Sequence, residues 1–137
     1  MRALIQRVLM SQVRVDGVTI GQIEQGLLVL LGVAPDDGVA DRDWLLRKIL
    51  NLRIFADGEG RMNRSVTDIQ GGLLIISQFT LFADVSQGNR PSFIRSAPPE
   101  FAESADNDFL EKLRQNHSGS VAAGRFAADM QVELIND

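Results

Sequence analysis

The sequence predicts an α/β fold. A single domain carries a strongly curved, barrel-like sheet, largely antiparallel or mixed, with two main helices packed on its outside. Three observations predict it. Apolar runs opened by glycine, Gly26-Leu27-Leu28-Val29-Leu30-Leu31 and Gly71-Gly72-Leu73-Leu74-Ile75-Ile76, read as strands buried on both faces. Residues 39–52 and 100–115 carry apolar side chains at helical spacing. Hairpin signals alternate with connections long enough to be helical crossovers.

The elements follow in order. Residues 3–9 form a candidate strand with Gln6 and Arg7 inside it. Val13-Arg14-Val15 and Val18-Thr19-Ile20 alternate on either side of Asp16-Gly17, the signal of a type I′ hairpin. Residues 27–33 form a central strand, ended by the loop Pro35-Asp36-Asp37-Gly38. Those aspartates, with Asp41, favour the start of a helix over 39–52, whose core stripe is Leu45, Ile49 and Leu52. Arg53-Ile54-Phe55 is a short strand candidate, Asp57-Gly58-Glu59-Gly60 a turn, and residues 62–65 an irregular surface segment. Pro98-Pro99 opens the second helix, with a stripe of Ala102, Ala105, Phe109 and Leu113. Met130, Val132 and Leu134 alternate with polar residues as a last, half-buried strand. The expected count is about six to eight strands in one domain, over all 137 residues.

Composition narrows the function classes. Hydrophobic residues at 45% and charged residues at 23% are ordinary for a globular chain. No apolar run reaches the roughly 18 residues of a membrane span, and the N-terminus has no secretory apolar core, so no membrane partner is expected. Cysteine is absent, which removes disulfides and thiolate chemistry and is compatible with a cytoplasmic location. The net charge of −4 argues against coating a nucleic acid, and no DNA partner is expected. Gripping only the end of a nucleic acid is still allowed. His117, the one histidine, sits among polar residues at a helix end and reads as a solvated side chain rather than a catalytic base. No metal-ligand cluster, phosphate loop or nucleophile elbow is present. Any catalysis therefore rests on hydroxyls, backbone donors and positioning.

The chemistry-bearing stretch is Ser77-Gln78-Phe79-Thr80, where two hydroxyls and an amide follow a buried strand. Such groups either bond neighbouring backbone, with Phe79 and Leu81 in the core, or face a ligand. The polar, turn-rich loop Asp84-Val85-Ser86-Gln87-Gly88-Asn89-Arg90-Pro91-Ser92-Phe93 follows, and loops beside strand ends are where sites tend to be built.

Ser77-Gln78-Phe79-Thr80-Leu81 resembles the first signature motif of the D-aminoacyl-tRNA deacylases. The resemblance spans nearly the full length: Leu4-Ile5-Gln6-Arg7-Val8, residues 26–33, Arg53-Ile54-Phe55, Arg90-Pro91-Ser92-Phe93 and residues 124–132 also match, in order. It implies an esterase that removes D-amino acids, and glycine, from the aminoacylated 3′ end of mischarged tRNA. It implies a homodimer with active sites at the subunit interface and no cofactor or metal. It assigns Ser77, Gln78, Phe79 and Thr80 to the catalytic segment, and Arg7, Phe79, Phe126 and Met130 to substrate binding. Thr80 matches a threonine once viewed as the nucleophile. The alternative gives the main role to the RNA 2′-hydroxyl, with backbone N–H groups near Phe79 and Thr80 as oxyanion donors. The second is preferred, because an unactivated hydroxyl is a poor nucleophile. Asn136-Asp137 match the first two positions of the family's Asn-x-Gly-Pro motif, and the sequence given stops there. The expectation is a chain lacking the Gly-Pro segment and last strand, with weaker activity or chiral selectivity. A tRNA-end or nucleotide binding module without turnover, and a purely structural dimerising domain, are the readings from other classes.

Overall fold

Strand β1 (Arg2–Val15) turns through Asp16-Gly17 into β2 (Val18–Ile23), and β3 (Gly26–Gly32) follows. Asp16 and Gly17 both have positive φ, 51° and 77°, as a type I′ hairpin requires. Then come helix α1 (Val39–Asn51), β4 (Phe55–Ala56), β5 (Met62–Arg64), β6 (Gly72–Ser77), a 3-10 turn (Phe79–Phe82), helix α2 (Pro99–Asn116), β7 (Val121–Ala123) and β8 (Gln131–Asn136). The computed structural model describes all residues, 1–137.

The main sheet runs β2-β1-β3-β6-β7, with β8 also paired to β1. β1 is one long strand rather than the two short ones expected. Its first half pairs antiparallel with β3, and its second half with β2 and β8. Register shifts at Val13/Arg14 and Val8/Met10 bend it, since a bulge curves the strand that carries it. β3 and β6 run parallel, as do β6 and β7, with α1 and α2 as the crossovers between them. The curved sheet nearly closes on itself. A Cβ placed on Gly21 of β2 would lie 2.8 Å from the Ala123 carbonyl oxygen of β7.

Alternation along β3 and β6 sorts their side chains into two cores. Leu27, Val29, Leu31, Leu73 and Ile75 point to the helices, against Leu45, Leu46, Ile49, Leu50, Phe109, Leu110 and Leu113. Leu28, Leu74 and Ile76 point into the barrel with Val8, Val13 and Ile23. Both strands are thus covered on both faces, as their unbroken apolar runs predict.

The differences from expectation have local causes. α1 ends at Asn51, so Leu52 is its exposed C-cap, and Leu46 and Leu50 join the buried stripe instead. On α2 the buried stripe is Ala102, Asp106, Phe109, Leu110 and Leu113, which gives a core-facing place to an aspartate while Ala105 is half-buried. Residues 62–64 are not irregular; they form β5, paired with the two-residue β4. His117 is not solvated. It is 6% exposed, and its Nε2 lies 2.8 Å from the Gly71 carbonyl oxygen, tying the end of α2 to the entrance of β6.

Two predictions follow from this packing. Gly26 and Gly72 are cross-strand partners, and a Cβ on Gly26 would lie 1.9 Å from the Gly72 oxygen. Gly26→Ala is expected to cost at least about 3 kcal/mol in chemical denaturation, the upper end for overpacking. Gly58→Ala, with nothing within 4 Å, is the control and stays within about 0.5 kcal/mol of wild type. The second concerns Asp106, whose Oδ1 has no hydrogen-bond partner. Burial, and then the charge of Glu103, push its carboxyl from 3.8 up to about 6. The folded chain keeps that proton at pH values where the unfolded chain has lost it, so this group's stability contribution falls as pH rises from about 4 to about 6. Asp106→Asn should therefore be the more stable form at pH 8, by roughly 3 kcal/mol, with the gain vanishing near pH 4. Equal stability of the two forms at pH 8 would contradict this.

Candidate active site

β6 ends at Ser77, and the polar residues after it leave the sheet. The Gln78 N–H still donates to the Leu31 oxygen at 2.7 Å, the last link between the parallel strands. Gln78, at φ −145° and ψ 81°, then directs the chain into the 3-10 turn Phe79–Phe82. The Leu81 N–H donates to the Gln78 oxygen at 3.3 Å, and the Ala83 N–H to the Thr80 oxygen at 3.0 Å. The first N–H groups of a helical turn have no acceptor inside it. Here the N–H groups of Phe79 and Thr80 make none of the chain's hydrogen bonds. On β3, Gly32 leaves room for the turn, since a Cβ there would lie 3.0 Å from the Phe82 ring and 3.1 Å from the Gln78 oxygen.

A cavity of about 640 Å³ lies at this end of β3 and β6. Ligands of α/β sheets commonly bind beyond the carboxyl ends of parallel strands. Leu31, Val33 and Ile76 contribute to its wall from the strand ends, with Ser77, Gln78 and Phe79 beside them. Pro99 and Ala102 come from the start of α2, and Phe126, Ala127, Ala128, Asp129 and Met130 from the segment before β8. Of the 17 lining residues 12 are hydrophobic, and Asp129 alone carries a charge. Such a wall suits a base or an acyl group rather than a phosphate.

Five of the residues singled out in the sequence therefore meet at one cavity: Ser77, Gln78, Phe79, Phe126 and Met130. Thr80 is adjacent but does not line it; its Oγ1 accepts a hydrogen bond from Gln78 Nε2. The ring of Phe79 is 55% exposed rather than part of the core, and Phe82 is the buried aromatic of the turn. Arg7 lies elsewhere, in a smaller pocket of about 380 Å³ with Gln25, Phe55, Arg64 and Asp137. Its Nη1 donates to the Ile54 oxygen at 2.6 Å, and its Nε is 3.0 Å from Asp137 Oδ2.

The structure adds contacts that the sequence reading did not assign to the site. The Phe93 ring meets Phe79 edge to face, with centroids 5.1 Å apart and planes at 74°. Ser96 Oγ donates to the Phe79 oxygen at 3.0 Å. Both sit on the loop after the turn, which is closed by two hydrogen bonds of 2.9 Å between Asp84 and Ser92. Asp84 also accepts from the Ser86 N–H and pairs with Arg95 at 3.3 Å. Hydrogen bonds from Ser86 chiefly, and the Arg95 charge, hold its carboxyl below the usual carboxylate range. The sequence signal for these residues was a polar, turn-rich loop directly after a strand end.

Ala127, in the cavity wall, has φ 58°, where an alanine side chain crowds its own backbone. Ala127→Gly is expected to raise stability by about 1 kcal/mol in urea denaturation. Unchanged or lowered stability would show that the methyl group gains more in the wall than its backbone loses.

Comparison with known proteins gives one family. The family model described as D-Tyr-tRNA(Tyr) deacylase matches residues 4–137. A protein of Pseudomonas fluorescens (strain Pf0-1) named D-aminoacyl-tRNA deacylase is 53% identical over 137 residues, covering 100% of this chain and 94% of its own length. A protein of the same name from Prosthecochloris aestuarii is also 53% identical, over 100% of this chain and 93% of its own length. Among solved structures, one described as a c-Myc DNA unwinding element binding protein is 42% identical with a TM-score of 0.95, covering 100% of this chain and 93% of that one. Another, described as a probable eukaryotic D-amino acid tRNA deacylase, is 15% identical with a TM-score of 0.80 over 98% of this chain and 93% of that one, a likeness of fold. The chain belongs to the D-Tyr-tRNA(Tyr) deacylase family.

Proposed function

We propose that this chain hydrolyses the ester joining a D-amino acid to the 3′ end of tRNA, releasing free D-amino acid and free tRNA, as a proofreading step of translation in the cytoplasm. Glycine carried by tRNA(Ala) is a second substrate in this reading. The observation that carries it is the full-length family match, combined with the position of Ser77-Gln78-Phe79 in the wall of the main cavity.

The chemistry needs little from side chains. An aminoacyl ester is already activated. Water adds to its carbonyl carbon, the carbonyl oxygen becomes an oxyanion, the bond to the ribose 3′-oxygen breaks, and that oxygen takes the proton. The free N–H groups of Phe79 and Thr80 are the donors for the oxyanion, and such donors are worth about 10²–10³ in rate. The 2′-hydroxyl beside the ester relays the proton. Thr80 positions rather than attacks, for its Oγ1 accepts from Gln78 Nε2 and no side-chain base is hydrogen-bonded to it. His117 is bonded to Gly71, before the start of β6, while Thr80 lies past its end. The strand between them spans roughly 17 Å at the usual rise per residue.

Phe79, Phe126 and Met130 then hold the adenine base and the amino acid, which need apolar walls. This suits an acidic chain that grips only the aminoacylated end. Arg7, paired with Asp137, braces the residues at the C-terminal end of β8. The working form in this reading is a homodimer with its sites at the subunit interface. The exposed apolar side chains Leu4, Leu9, Leu134 and Ile135, on β1 and β8, are compatible with a covered face.

The test is steady-state deacylation of D-Tyr-tRNA, with L-Tyr-tRNA beside it. Cleavage of the D-ester is expected. Replacing the 2′-hydroxyl of the terminal adenosine by hydrogen should slow it at least about 10²-fold, and Thr80→Val by less than about tenfold. A larger loss with Thr80→Val than with the deoxy substrate would restore Thr80 as nucleophile. Binding of the aminoacylated end without hydrolysis would replace the enzyme by a binding module.

A further inference from the structure

We propose that Ser96 is a positioning residue for the deacylation step, acting through the peptide unit between Phe79 and Thr80. The inference rests on the deacylase reading. The Ser96 hydroxyl donates to the Phe79 carbonyl oxygen at 3.0 Å, across 17 residues of sequence. That carbonyl and the Thr80 N–H belong to one peptide group, which is planar and trans, so they point in opposite directions along one plane. Fixing the oxygen fixes the direction of the N–H. The Thr80 N–H has no acceptor in the chain and is the first free donor beyond Phe79. A hydrogen bond on the carbonyl also polarises the amide and strengthens its N–H as a donor.

The bonds at the two ends of the turn use the oxygens of Gln78 and Thr80 and the N–H groups of Leu81 and Ala83, and the Phe79 oxygen between them is reached from outside the turn by the Ser96 hydroxyl, a further donor beyond the turn's own 3-10 bonding. Ser96 is well held to serve as one. Its own N–H donates to the Phe93 oxygen at 2.9 Å, and the next residue, Ala97, donates to the Val33 oxygen at 2.9 Å, which anchors the loop to the chain just beyond β3. The edge-to-face contact of Phe93 with Phe79 holds the same turn from its side-chain face. The loop thus sets the plane of one peptide on the turn that borders the cavity.

The experiment compares wild type, Ser96→Ala and Ser96→Thr in single-substrate kinetics on D-Tyr-tRNA, with thermal melting of each. Ser96→Ala is expected to lower kcat about tenfold, a part of the 10²–10³ lost when an oxyanion donor is removed outright. KM and melting temperature should stay near wild type, and Ser96→Thr, which keeps the hydroxyl, should recover most of the rate. Unchanged kcat in Ser96→Ala overturns the inference while leaving the deacylase reading intact. So does a rise in KM alone, which would put the hydroxyl against substrate. A rate loss that follows a fall in melting temperature and is not recovered by threonine overturns it as well. A wild-type chain that cleaves no D-ester overturns the deacylase reading, and this inference with it.

Discussion

The parallel pairing of β3 with β6 is the constraint on which the rest depends. It begins where Gly26 meets Gly72 with no room for a side chain, and it ends where the Gln78 N–H reaches the Leu31 oxygen. Parallel strands need a crossover, and α1 supplies it. That crossover places one core between the helices and the outer face of the pair, and leaves the inner face to the barrel. Because both strands stop together, the turn Phe79–Phe82 and the loop after it are set at a single edge. The cavity lies at that edge because the fold has no further strand there to fill it.

A second consequence is that the site is built mainly from backbone. In the proposed reading the donors are peptide N–H groups oriented through a carbonyl, and the surrounding wall is apolar with one carboxylate. Such a mechanism asks for no histidine, no cysteine and no gathered carboxylates. It depends on the geometry of a short turn and on whatever fixes it. Strain is tolerated nearby, as the left-handed Ala127 in the cavity wall shows.

Much of the fold was legible because its strongest signals are local. The unbroken apolar runs of β3 and β6 marked strands covered on both faces, Asp16-Gly17 marked the first hairpin, and Pro98-Pro99 marked the start of α2. What escaped reading depended on contacts distant in sequence. β1 looked like two strands because Ser11 and Gln12 are polar, yet Ser11 is fully buried with its hydroxyl donating to the Glu133 oxygen, and Gln12 bonds the Glu133 carboxylate. His117 looked solvated because its sequence neighbours are polar, but its partner is Gly71, 46 residues away. At the site, the resemblance brought five residues to one cavity. It included Phe93 in a matching block without a role and did not name Ser96; the contacts of both with the turn become visible only when the loop folds back. Arg7 stands apart because its strand pairs at the opposite end of β3, with Gly26 and Leu27.

The central claim is that the Phe79 and Thr80 amides face the carbonyl of the bound aminoacyl group. The most direct measurement is the amide proton and nitrogen shifts of the ¹⁵N-labelled chain. They would be followed as it binds 3′-amino-3′-deoxyadenosine acylated with D-tyrosine, an uncleavable amide analogue of the ester. The account predicts downfield amide-proton shifts at Phe79 and Thr80 as they gain an acceptor, larger than those of the amides in β1 and β2. Binding that shifts residues of the cavity wall and leaves these two amide protons unmoved would contradict it.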